Sequence, residues 1–111
     1  MSRLNQHRMR AYRNQQGRCY YCNQHMWVDS PREFTQQYNL SIQQAAQLRC
    51  TTEHLTPQRL GGCTTLCNIA AACWYCNRMR PRRRRYLDPV KYGEHVRKRV
   101  RNGKWHRLLT I

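Results

Sequence analysis

Apolar residues are sparse along this chain and arrive in short bursts, a pattern that predicts several short elements rather than a few long ones. Residues 3–15 place Leu4, Met9 and Tyr12 among basic and amide side chains, a weakly amphipathic helix closed by Gly17. Residues 18–28, RCYYCNQHMWV, set two cysteines among aromatics, as in a knuckle flanked by short strands. Ser30-Pro31 opens a glutamine-rich stretch through Leu48 with Phe34, Tyr38, Leu40, Ile42, Ala45 and Ala46 as its apolar positions. It reads as one or two short helices, with Ser41 a cap before IQQAAQL.

Residues 49–53, RCTTE, favour a strand that runs through His54 and ends near Leu55. Pro57 to Thr65, with Gly61-Gly62 inside, must be a loop, because adjacent glycines and a proline defeat both regular structures. A second strand is expected from Ile69 to Cys73, then a helix from Trp74 through Arg80 that Pro81 stops. Beyond Arg82–Arg85, Asp88 caps a further helix with Pro89 at its first position. Val90, His95 or Val96, and Val100 supply its apolar side, and Gly103 ends it.

Composition changes this picture in one respect. The chain has 111 residues, one domain by size, and 40% are hydrophobic, but seven of those are cysteines, seven are tyrosines and only one is phenylalanine. The aliphatic core is therefore thin, and cross-linking by metal or disulfide is expected to reinforce it. Residues 1–18 are polar and basic, unlike a secretory leader, and no apolar run approaches a membrane span. A reducing, cytosolic setting without membrane attachment follows, in which cysteine pairs read as metal ligands. Cys19/Cys22 and Cys73/Cys76 each have the two-residue spacer that lets both thiolates reach one ion, so together they form a four-cysteine zinc site. Fifty residues separate Cys22 from Cys73, too many for a finger loop. Cys50, Cys63 and Cys67 are irregularly spaced and read first as small buried hydrophobes, with a second metal site the lesser alternative.

Charge adds a partner. Twenty-one Lys and Arg against five Asp and Glu give a formal charge of +16, which points to a polyanion, nucleic acid first. Arginines far outnumber lysines, favouring bidentate phosphate contact. A basic solvated surface or a ribosome-associated packing protein would show the same charge.

The segment between the cysteine pairs carries the chemistry: Thr52-Glu53-His54-Leu55-Thr56-Pro57, then Gly61-Gly62, Asn68-Ile69, and Cys73-Trp74-Tyr75-Cys76-Asn77-Arg78-Met79-Arg80. Here the chain resembles the HNH family of ββα-metal nucleases, with a carboxylate-His pair, a Pro, a Gly-Gly, an Asn before an apolar run, and Cys-x-x-Cys followed by Asn, in order. The resemblance covers residues 19–22 and about 49–80. It implies an α+β fold: a ββα-metal (His-Me finger) core over about 18–80, stapled by the zinc site, with extra N- and C-terminal helices. Residues 31–48 would then be a helical insertion and 81–111 a basic helical extension of a single nuclease domain.

The resemblance also implies roles. Phosphodiester hydrolysis needs a base for water, a cation for the scissile phosphate, and rigid placement of both. His54 is the base, an imidazole suited to proton transfer near neutral pH. Glu53 and Asn77 hold Mg²⁺ or Mn²⁺ through oxygen, although many family members have Asp where Glu53 stands. Asn68 ties down the loop and orients the histidine. Arg78, Arg80 and the run Arg82, Arg83, Arg84 and Arg85 contact the nucleic-acid backbone, with DNA favoured over RNA. A double-strand cut by one such site would favour a two-fold homodimer. The competing class is a non-catalytic zinc-bound nucleic-acid-binding module, which would not require Glu53, His54 and Asn77 together.

Overall fold

A computed structural model describes residues 2–80, 86–106 and 108; the run Arg82–Arg85, expected to meet nucleic acid, lies outside the described residues. Helix α1 (Arg3–Asn14) starts where the Ser2 hydroxyl accepts a hydrogen bond from the Asn5 amide at 3.0 Å. The chain leaves it through Gly17 at φ +74°, where the Tyr12 hydroxyl stands 3.1 Å from the place a Cβ would occupy. Glycine is needed there on both counts. The cysteine knuckle follows, and the strands expected to flank it are reduced to isolated bridges, Arg18 with His25 and Trp27 with Arg49. Its turn is tight, with Asn23 at φ +62°, and leaves too few residues on each arm to build a ladder.

The glutamine-rich stretch folds as two short helices. Helix α2 (Pro31–Tyr38) is capped by Ser30 and ends at Asn39 in the left-handed conformation; α3 (Ile42–Ala46) begins with a reciprocal capping box between Ser41 and Gln44. Phe34, Ala45 and Leu48 are the residues this stretch buries. The Trp27 indole N–H reaches the Ala45 carbonyl at 2.7 Å and ties the knuckle to α3.

Strand β1 (Cys50–His54) pairs antiparallel with β2 (Ile69–Cys73), with Cys50 opposite Cys73, Thr52 opposite Ala71 and His54 opposite Ile69. All five residues of β2 are buried, and its three alanines let backbone approach closely from the side of α1. The Gln15 side chain, just past α1, behaves as a short third strand: its amide nitrogen donates to the Ala71 carbonyl at 2.8 Å and its oxygen accepts from the Ala71 amide at 3.1 Å. The Tyr20 amide also donates to the Ala71 carbonyl, at 3.0 Å, so knuckle and Gln15 together cover this edge.

Helix α4 (Trp74–Met79) continues directly from β2. Its first amides, on Trp74 and Tyr75, donate to the Arg49 and Gln47 carbonyls at 2.8 and 3.1 Å, so the helix start is fixed by the entry to β1. Helix α5 (Pro89–Arg101) has Asp88 as its cap, bonded to the Lys91 amide at 2.9 Å. Its buried face is in part the one expected, since Val96 is buried and Val100 packs against the core, but Val90 is not on it. Val90 is 68% exposed, whereas Tyr92 and Val96 are fully buried. Spacing of four residues puts Tyr92 and Val96 on one stripe, and the phenol fills the core that valine at position 90 cannot reach. The core joins Ala11, Phe34, Ala45, Leu48, Ala71, Ala72, Tyr21, Tyr92, Val96, Trp105 and the buried cysteines. The architecture is thus a small mixed α and β fold, with a two-stranded antiparallel sheet, a following helix, and helices added at both ends.

Candidate functional site

His54 closes β1, and Asn68 stands immediately before β2, so the antiparallel pairing brings the two ends of the intervening loop together. The Asn68 amide clamps that loop. Its oxygen accepts from the Thr56 amide at 2.8 Å, and its nitrogen donates to the Thr56 and Cys63 carbonyls at 3.0 and 2.6 Å. Backbone completes the clamp, with Leu55 N–H on the Asn68 carbonyl at 2.9 Å. Gly62 is part of the same closure: a Cβ there would lie 1.7 Å from the Thr56 carbonyl oxygen, so only glycine fits.

A cleft of about 890 Å³ opens beside this loop, lined by Thr51, Glu53, His54, Trp74, Asn77 and Arg78 among others. Two neighbours on a strand should face opposite ways, yet Glu53 and His54 both line it. They differ in burial. Glu53 is 5% exposed, and its Oε2 accepts from the Tyr21 hydroxyl at 2.8 Å and from Arg80 at 3.1 Å. Burial, and then the Glu53 carboxylate, hold the Tyr21 phenol far above its ordinary pKa, so it stays a donor. The His54 ring is half-buried, and its Nε2 is buried with no hydrogen-bond partner among the described residues. Asn77, one turn into α4, donates from its amide nitrogen to Thr51 Oγ1 and the Thr52 carbonyl at 3.1 and 2.9 Å. Sheet and helix are locked together at the cleft floor.

The family model of the HNH endonucleases matches residues 41–83, the segment that holds β1, the clamped loop, β2 and α4. That segment is similar to an HNH domain. No curated protein and no solved structure matches it. HNH domains are nuclease or nucleic-acid-binding modules, and the matched segment includes Glu53, His54, Asn68, Cys73, Cys76 and Asn77. The first cysteine pair lies outside the match, and the fold brings it in: the sulfurs of Cys19, Cys22, Cys73 and Cys76 lie within 4.8 Å of one another, all buried.

That cluster fits a single metal ion, and an all-sulfur tetrad suits zinc. Neighbouring thiols, Cys19 first, favour the thiolate at Cys22. Cys73 is pushed up, first by its hydrogen bond with Cys19, and Cys76 first by burial. A cation is what allows four thiolates to share such a space. The remaining cysteines divide. Cys50 is buried, as expected of a small hydrophobe, and desolvation pushes its thiol up to about 11. Cys63 and Cys67 are exposed instead, both bonded to Thr65 Oγ1 at 2.8 and 3.2 Å, because the clamped loop turns their side chains outward.

The basic residues near the cleft also divide. Arg78 is exposed on the cleft rim, with its guanidinium 5.2 Å from the Trp74 ring centroid. Arg80, expected to contact nucleic acid, is turned inward and only 4% exposed. Its guanidinium donates to Glu53, to the His54, Leu55 and Leu87 carbonyls, and lies against Tyr21, Tyr86 and Tyr92. An arginine beside a basic run gives no sequence sign of this. Nor do Trp105 and His106, which pack on the cysteine cluster from beyond α5.

Proposed function

We propose that the protein is a metal-dependent endonuclease that hydrolyses phosphodiester bonds in DNA, with His54 as the general base that takes the proton of the attacking water. One observation carries the reading: a buried ring nitrogen of His54 without a partner among the described residues, on the wall of an open cleft. An unsatisfied buried nitrogen costs about 1–3 kcal/mol, and a fold keeps such a cost where substrate or water supplies the missing bond.

Glu53 and Asn77 are the groups that would hold Mg²⁺ or Mn²⁺. They fit in that both line the cleft with His54, and hydrogen bonds within the described residues engage only Oε2 of Glu53. Such a cation, when bound, supplies charge neutralisation at the scissile phosphate and the leaving oxygen. The rest is done by the chain. His54 receives the proton, Asn68 holds the turn that follows it, and Arg80 fixes the carbonyls of His54 and Leu55. Arg78 on the rim and the run Arg82–Arg85 neutralise flanking phosphates. Zinc on Cys19, Cys22, Cys73 and Cys76 pins the start of α4, from which Asn77 projects. A double-strand cut from one such site per chain calls for a homodimer.

A non-catalytic nucleic-acid-binding module is the second reading, and the Arg80 guanidinium 3.1 Å from Glu53 favours it, since that cation opposes another at the same carboxylate. Incubating the zinc-loaded protein with supercoiled plasmid separates the two. Endonuclease action predicts relaxation in Mg²⁺ or Mn²⁺ that a chelator stops, and binding without relaxation in either metal would establish the module.

A further inference from the structure

Every sulfur of the four-cysteine cluster accepts at least one N–H hydrogen bond, and the donors fall into two kinds. Backbone amides serve the first cysteine of each pair: Cys19 Sγ accepts from Tyr21 N and Cys73 N at 3.4 and 3.3 Å, and Cys73 Sγ from Cys76 N at 3.4 Å. These follow from the turn of each Cys-x-x-Cys unit and from β2 running into α4. The second cysteine of each pair is served from elsewhere. Trp105 Nε1–H donates to Cys76 Sγ at 3.3 Å, and His106 Nε2 lies 3.4 Å from Cys22 Sγ.

The direction of the histidine bond is fixed by its other nitrogen. Leu108 N–H donates to His106 Nδ1 at 3.1 Å, so Nδ1 is the acceptor and the ring proton sits on Nε2, facing the sulfur. Both rings are buried, and Tyr75, between the second pair's cysteines in sequence, packs edge-on against each at 5.0 and 5.8 Å. The Tyr92 hydroxyl adds a bond to the Cys76 carbonyl. Trp105 and His106 thus pack on the knuckle, each turning a ring nitrogen toward a cysteine sulfur.

Four thiolates around one divalent ion leave a net double negative charge in a buried place. N–H donors offset that charge, and a thiolate without one is held to the ion less firmly. We propose that Trp105 and His106 are positioning residues that complete the metal site from outside, holding Cys76 and Cys22 as ion-bound thiolates and slowing release of a thiophilic divalent cation. Docking of Trp105 and His106 and metal retention are then one event. The proposal rests on the metal reading of the four cysteines and not on nuclease activity.

The protein loaded with Co²⁺ or Zn²⁺ tests it, through the thiolate-to-cobalt absorption band and the rate of zinc transfer to a chromophoric chelator. Trp105→Phe keeps the ring and removes only the donor; His106→Leu removes the other, and His106→Gln restores an amide N–H. Each donor loss is expected to speed zinc transfer about tenfold, and both together up to about 100-fold, with the cobalt band moved to longer wavelength. His106→Gln should recover most of the wild-type rate and band. Wild-type rates and spectra in Trp105→Phe and His106→Leu would overturn the proposal, as would His106→Gln behaving like His106→Leu, which would mean packing alone. A wild-type protein that binds no cobalt would instead remove the metal reading beneath it.

Discussion

Glu53 and Arg80 meet in the interior with side chains 7% and 3% exposed, where a lone charge is far more costly than a pair. Removing Arg80 leaves the Glu53 carboxylate buried beside a phenol, and three carbonyls lose a donor. Arg80→Met is expected to cost about 3–5 kcal/mol in urea unfolding of the zinc-loaded protein, while Arg78→Met, at an exposed position, costs less than about 0.5. The exposed cysteines offer a second check. Hydrogen bonding from Thr65 lowers the Cys63 pKa, whereas burial raises Cys50 to about 11. At pH 8 Cys63 therefore carries more thiolate than an ordinary cysteine and Cys50 almost none. Iodoacetamide on the metal-loaded protein should alkylate Cys63 well before Cys50, as read by peptide mass spectrometry. At this scale the sequence was partly legible. Glu53, His54, Asn68 and Asn77 stand out because their types and spacings match a motif. Arg80 does not, because its inward turn depends on three tyrosines, at positions 21, 86 and 92, that only the folded chain gathers.

The two strands and α4 were readable because each boundary has a local cause: the β-favouring run before His54, the glycine pair that forces a loop, and the proline after Arg80. The face of α5 was harder. Valine and tyrosine both qualify as apolar, and only the partner surface, with Cys76 and Tyr21 on it, selects Tyr92 over Val90. The knuckle strands failed for a similar reason, since aromatic β-formers predict extended chain but not a partner to pair with. Within the loop the glycines are unequal. Gly61 has φ +88° with open space around it, whereas Gly62 would put a methyl group against the Thr56 carbonyl. Gly61→Ala should cost about 1 kcal/mol of backbone strain. Gly62→Ala should displace the loop and abolish plasmid relaxation with zinc content unchanged, measurable by relaxation assay and metal analysis side by side.

The whole molecule carries +16 formal charges, and no helix of its described residues is long and apolar enough to cross a membrane. Arg97, Lys98, Arg99 and Arg101 are exposed on α5, and the far side of the same helix is anchored to the cysteine cluster through Tyr92. Replacing Lys98, Arg99 and Arg101 with glutamine should weaken DNA binding and reduce the slope of log K against log salt by up to about 2–3, since each phosphate contact contributes about 0.9. Fluorescence anisotropy over a salt series reads that slope. The central claim is that His54 performs the proton transfer, and the relaxation of supercoiled plasmid by His54→Ala, against wild type in Mg²⁺ or Mn²⁺, tests it most directly. General-base loss predicts a fall of at least about 10²–10⁴-fold in the relaxation rate, with zinc content and DNA affinity unchanged. Relaxation by His54→Ala at the wild-type rate would contradict the account.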